Sequence, residues 1–144
     1  MKILRYLFLS FLILLTSCEI KPEPIQYGMD GCHFCSMTIV DRQHAAEFVT
    51  SKGKVFKFDA VECMMNQLNK EDISEIALFL VNDYVTPGKL VSAQEATYLI
   101  SEDIPSPMGA FLSAFENQVD AERVREANTG ILLSWAELQK KYLE

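Results

Sequence analysis

The chain has 144 residues and a formal net charge of −7. That acidity argues against nucleic acid as a partner, because such binding is driven by basic patches. The length suits one compact domain or two very small ones sharing a core.

Residues 1–17 carry Lys2 and Arg5, then an apolar run, then small residues. A positive start, a short greasy middle and a small-residue break describe a signal peptide, and the run is too short to span a bilayer. Leu15-Thr16-Ser17-Cys18 resembles the bacterial lipobox, whose cysteine becomes the lipidated first residue of the mature chain. Acyl chains on Cys18 would anchor the protein at a membrane at roughly 0.8 kcal/mol per buried methylene. Without Lys2 and Arg5 the remainder is more acidic still. Residues 18–26 hold Pro22 and Pro24 and little that could pack, so they read as a flexible, extended tether, with the fold starting near Tyr27.

Thr38-Ile39-Val40 is a short β-prone piece, and residues 41–45 are a polar turn in which His44 reads as solvated. Residues 47–50 and 54–58 flank Ser51-Lys52-Gly53, the pattern of a β-hairpin. Val55 and Lys57 alternate with Phe56 and Phe58, giving one wet and one apolar face. Asp59 and Glu62 read as a capping box opening a helix. Val61, Met64, Met65 and Leu68 stripe that helix, so Met64 and Met65 are core. The apolar run 76–81 is a buried strand. Strand, helix, strand predicts a βαβ unit with a parallel pair.

The pattern then recurs. Strands are expected at 89–92, 97–100, 110–115 and 131–133, with a helix at 119–127 ended by Asn128 and Gly130. Pro105 and Pro107 make 104–109 an irregular loop. Ser134 and Glu137 form a second capping box for a last helix striped by Trp135, Leu138 and Tyr142. The fold class is α+β: two successive related ββαβ units packed together, over residues 27–86 and 87–144.

With Cys18 lipidated, Cys32, Cys35 and Cys63 remain. Outside the cytoplasm structural cysteines come in even numbers, so an odd set leaves at least one thiol free or binding something. Cys32-His33-Phe34-Cys35 precedes a β-prone piece and not a helix, the wrong context for a thioredoxin-type pair. Ser36 stands where haem attachment requires His. Zinc would want four ligands and a second close pair. Cys35-x-Met37 on an extended segment would point both sulfurs to one face. Thiolate with thioether selects Cu(I). Taken alone, though, the spacing fits a core methionine better than a ligand. Met108 lies between Pro107, which fixes the backbone, and Gly109, which permits positive φ. Cys63 lies about 160° from the helix stripe at ~100° per residue, so it faces either a site or a second buried surface. His33 could supply an imidazole nitrogen. No paired carboxylates, Ser/His/Asp pattern or glycine-rich phosphate loop is evident.

In order along the chain, these features resemble the NosL family, copper-binding lipoprotein accessory proteins of nitrous oxide reductase. Cys32-His33-Phe34-Cys35-Ser36-Met37 is similar to that family's C-x-x-C-G-M segment, with Ser36 where Gly is usual. Lys57-Phe58-Asp59 through Cys63-Met64 resembles its strand-to-helix segment, and Ser106-Pro107-Met108-Gly109 its Pro-Met-Gly loop. The likeness runs from about Tyr27 to Leu138. It implies two related ββαβ halves and Cu(I) as cargo, held by Cys35, Met37 and Met108, with Cys32, Cys63 and His33 as further candidates. It implies a periplasm-facing metallochaperone, not an enzyme, whose partner is nitrous oxide reductase or its copper-assembly machinery. If the usual Gly serves a positive φ, Ser36 is strained. The rival readings are a thiol-disulfide oxidoreductase using Cys32 and Cys35, and a structural lipoprotein with inert cysteines.

Overall fold

The computed structural model describes residues 19–143. The expected signal peptide and lipidation site at Cys18 lie outside them. The elements run β1 (Ala46–Thr50), β2 (Val55–Phe58), α1 (Val61–Leu68), β3 (Ile76–Asn82), β4 (Leu90–Ser92), β5 (Thr97–Ile100), β6 (Leu112–Phe115), α2 (Gln118–Asn128), β7 (Ile131–Leu133) and α3 (Trp135–Leu143), with a 3-10 turn at Ile73–Glu75. No helix among the described residues is long and apolar enough to cross a membrane.

Two antiparallel sheets have the orders β2-β1-β3-β4 and β6-β5-β7. Each half winds the same way. A hairpin forms, a helix crosses over, and the third strand returns to the free edge of the hairpin's first strand. The expected parallel pair is therefore absent. β2 and β3 do run in the same direction, but β1 lies between them and pairs antiparallel with both. Antiparallel ladders are slightly the more stable per residue, and β1 offers that edge. Strand β4 adds to β3 through Leu80↔Ser92 and Val81↔Val91, so residues 90–92 finish the first sheet and the second begins at β5.

Register puts the hairpin's apolar side inward. Phe48 lies opposite Phe56 and Phe79, and Ala46 opposite Phe58 and Val81. Phe48 sits 4.9 Å from Phe56 and 5.3 Å from Phe58, ring centre to ring centre, within the range of favourable aromatic pairs. Onto this stripe α1 lays Val61, Met64, Met65 and Leu68, all buried. Trp135 of α3 packs 5.5 Å from Phe79 and 6.1 Å from Tyr98, so one core joins both sheets.

Two readings of local chemistry change. The outer face of the first sheet is not simply wet, because residues 22–25 lie across it. Glu47 accepts the Glu23 N–H at 3.0 Å, Lys57 donates to the Pro24 carbonyl at 3.0 Å, and Ile25 is buried. A proline-rich segment leaves its backbone polar groups unpaired internally, and Glu47 and Lys57 take them up. The flexible tether read at 18–26 is thus, in its second half, a packed strap.

The first capping box does not form. Ala60 is the N-cap of α1 and supplies no side-chain bond; Asp59 is buried with Oδ1 unpartnered, and Glu62 is engaged elsewhere. The second box does form. Ser134 N–H donates to the Glu137 carboxylate at 2.7 Å, and Glu137 N–H to Ser134 Oγ at 3.4 Å.

Candidate metal centre

Residues 31–38 form a closed loop and not a strand. Gly31 and Thr38 make an isolated antiparallel bridge. Within it, Cys32 N–H donates to the Met37 carbonyl at 2.8 Å and Ser36 N–H to the Cys32 carbonyl at 2.9 Å. His33 N–H donates to the Lys57 carbonyl at 2.9 Å, fastening the loop to β2. The strand expected at 38–40 is reduced to that bridge. The same-face argument for Cys35 and Met37 fails with it, because Ser36 turns the chain at φ 63°. The residue where the resembling family has Gly therefore does sit in the left-handed region. A serine carries that conformation at roughly 1 kcal/mol or more.

The tight loop brings Cys32 and Cys35 onto one turn, and β2 leads directly into α1, whose first turn carries Cys63. All three thiols are free, and their Sγ atoms lie within 4.8 Å of one another. Cys32 and Cys63 are buried and Cys35 is half-buried, so Cys35 is the solvent side of the cluster. The signal for Cys63 was its position off the main helix stripe; it faces the cysteine loop, the first of the two alternatives left open above.

Hydrogen bonding from the Cys63 thiol pulls the Cys32 thiol down to about 5 against its burial, helped by the amides of Cys35 and Asp59. Cys63 is pushed up by that same pairing and by burial, and Cys35 is raised mainly by burial. The pairing thus favours ionisation of Cys32 over that of Cys35 and Cys63. Asp59 stands beside the cluster, its carboxyl raised by burial and then by the Cys32 charge.

His33 is not gathered with the sulfurs. It is exposed, and its ring meets Phe56 edge-on at 4.6 Å. His44 is not solvated as its polar turn suggested. It is buried, with Nδ1 3.1 Å from Asp41 Oδ2 and Nε2 3.1 Å from Ser113 Oγ. The connectivity is that of a hydrolytic triad, but Ser113 is fully buried and presents no nucleophile to a substrate. The three residues tie the turn before β1 to β6 of the other half.

The two candidate methionines lie at the surface. Met37 is 54% and Met108 41% exposed. Gly109 has φ 75°, as its place after Met108 suggested. The Met108 loop is tied to the cysteine helix: Ser106 Oγ donates to the Glu62 carboxylate, and Ala110 N–H approaches the same oxygen at 3.4 Å. Glu62 immediately precedes Cys63. The structure thus brings the three cysteines together and puts Met37 and Met108 on the two loops attached to them. No local sequence signal marked the Glu62–Ser106 contact, whose partners are 44 positions apart.

Fold and site together define a small α+β protein of doubled ββαβ units with a sulfur-rich cluster fit to hold a soft metal ion. The chain belongs to the NosL family, whose model matches residues 26–143. It is 28% identical over 145 residues to the copper-binding lipoprotein NosL of Stutzerimonas stutzeri, covering 90% of this chain and 76% of that one. The crystal structure of the copper chaperone NosL from Shewanella denitrificans superposes with a TM-score of 0.72 at 21% identity, covering 83% of this chain and 96% of that one.

Proposed function

We propose that this protein is a periplasm-facing lipoprotein, anchored through Cys18, that binds Cu(I) and delivers it for assembly of the copper-sulfide centre of nitrous oxide reductase. The observation that carries the copper reading is the cluster itself: three sulfurs within 4.8 Å of one another in a chain of this family. The names of its relatives, copper-binding lipoprotein and copper chaperone, support the cargo and the anchor.

Soft thiolate and thioether donors select Cu(I) over harder ions. Burial works the same way, since a monovalent cation on one thiolate carries no net charge into the interior. Cys35 is the pivot. It belongs to the buried cluster yet faces solvent, beside the exposed Met37, and the Met108 loop is tied to the helix turn behind it. An ion held by Cys35, Met37 and Met108 with one side open can be approached by a partner's ligands, which displace the thioethers before the thiolate. The protein's own role is binding and transfer, not catalysis.

A thiol-disulfide oxidoreductase is the competing reading, favoured by the low Cys32 pKa. It is the weaker one, because an attacking thiolate must be accessible and Cys32 is buried, whereas at the half-buried Cys35 burial disfavours the thiolate. Anaerobic competition of the full-length protein in detergent against a Cu(I) chelator separates the two. The copper reading expects Cys35→Ser to weaken binding most, with smaller losses for Met37→Ala and Met108→Ala. Unchanged affinity in the triple variant rejects it.

A further inference from the structure

We infer that Glu62 is a positioning residue that, through Ser106, holds the Met108 loop against the cysteine helix, so that copper ligands from both halves of the molecule stay at one site. The inference rests on the copper-binding reading above and adds to it the element that joins the two ligand sets.

Glu62 is 2% exposed and lies one residue before Cys63 in the first turn of α1. An acidic residue there ordinarily serves the helix terminus, and Asp59 at a capping-box spacing makes that the natural use. It is not the use made. The carboxylate instead reaches into the second half, where one oxygen receives the Ser106 hydroxyl and the Ala110 amide. The other oxygen, Oε2, is buried with no partner. A buried carboxylate with half its accepting capacity unused is costly to the fold, and an apolar residue would fill the position more cheaply. What the carboxylate supplies is a fixed distance between two loops.

Ser106 passes that anchoring to Met108. Its Oγ accepts the Phe111 N–H at 2.9 Å while donating to Glu62, and its carbonyl accepts the Gly109 N–H at 3.0 Å. Residues 106–111 therefore close on themselves around Met108. Pro107 precedes it, and Gly109 and Phe111, at φ 75° and 59°, shape the return. A loop built from a proline and two left-handed residues has a defined shape but makes few bonds to the rest of the fold. The Glu62 carboxylate is the charged group that docks it, and hydrogen bonds to charged groups are the stronger kind.

The test is Cu(I) affinity of the full-length protein, by anaerobic chelator competition, in Ser106→Ala, Glu62→Ala, Glu62→Gln, Met108→Ala and the Ser106→Ala/Met108→Ala double variant. X-ray absorption then counts sulfur neighbours in each. Ser106→Ala is expected to lose roughly five- to tenfold in affinity and to lose the same sulfur neighbour as Met108→Ala. The double variant is expected to be no weaker than Met108→Ala alone. Glu62→Gln, whose amide oxygen still accepts the Ser106 hydroxyl but without the charge, is expected to fall between the parent and Ser106→Ala. If Glu62→Ala fails to fold, Ser106→Ala, which removes one oxygen, still decides the matter. Parental affinity with a full sulfur shell in Ser106→Ala overturns the inference, as does a double variant that loses the product of the two single losses. Unchanged affinity in Met108→Ala overturns it together with the ligand role of Met108. Unchanged affinity in Cys35→Ser instead removes the copper reading beneath both.

Discussion

The two halves share a topology and differ in what their helices are for. In the first, α1 is buried at seven of its eight residues; in the second, α2 is buried only at Ala121. The difference begins in composition. α1 reads VECMMNQL with one charge, whereas α2 reads QVDAERVREAN with five. α1 is sandwiched between the aromatic face of the first sheet and the elements α3 and β6, so even its polar positions face protein. α2 covers a small satellite core of Leu99, Ile104, Phe115 and Ala121 and leaves the rest in water. A repeated fold can thus keep one copy as a platform and use the other's crowded helix to bury a thiol. The half with the exposed helix contributes a loop instead.

The sharpest way to break this comparison is a pair of truncations measured by denaturant unfolding of the apo protein. Met64→Ala on α1 should cost about 2–5 kcal/mol, because the side chain is fully buried and leaves a cavity. Val119→Ala on α2, 74% exposed, should stay within about 0.5 kcal/mol. Equal costs would mean that the two helices are not used differently.

The outer face of the first sheet sharpens the same contrast, since it carries a buried acid under the proline strap. Burial raises Glu47 to about 7. A carboxyl whose folded pKa lies above its unfolded value contributes stability that is full below the unfolded pKa and lost as pH rises through the folded one. Glu47→Gln should therefore be more stable than the parent at pH 8, by about 1–2 kcal/mol after allowing for solvent behind a thin strap. The gain should fade towards pH 5. A gain independent of pH would place the effect elsewhere.

A smaller effect is expected at the cysteine loop. Ser36→Gly should raise stability by about 0.5–1 kcal/mol by relieving the left-handed turn, with Cu(I) affinity within about twofold of the parent. A destabilised variant would show that the serine side chain makes a contact of greater worth than the strain.

How far this was legible in the sequence follows from the range of the interactions. The strands of the two sheets, the helices, the Ser134–Glu137 box and the buried stripe of α1 are set by neighbours a few residues apart, and they stand as read; the strand expected at 38–40, reduced to the Gly31–Thr38 bridge, does not. Gly109 gave away its positive φ, and Ser36, in the place of a Gly, posed the right question. What could not be read were contacts between distant positions. β3 chose the edge of β1 over that of β2. Glu62 left its expected cap for Ser106. Glu47 and Lys57 received the strap at 22–25. His44 was buried by Ser113 on the other half. Cys63 illustrates the boundary: periodicity said that it lay off the core stripe, but only the approach of the cysteine loop says what it faces there.

The central claim is that sulfur from the cysteine cluster and its adjoining loops holds one Cu(I) ion. X-ray absorption at the copper edge of the full-length protein loaded anaerobically tests it most directly. The account predicts a shell of two to four sulfur neighbours, the range open to a small Cu(I) site of thiolates and thioethers, with that shell disrupted in Cys35→Ser. A shell dominated by nitrogen or oxygen, or one unchanged in Cys35→Ser, would contradict it.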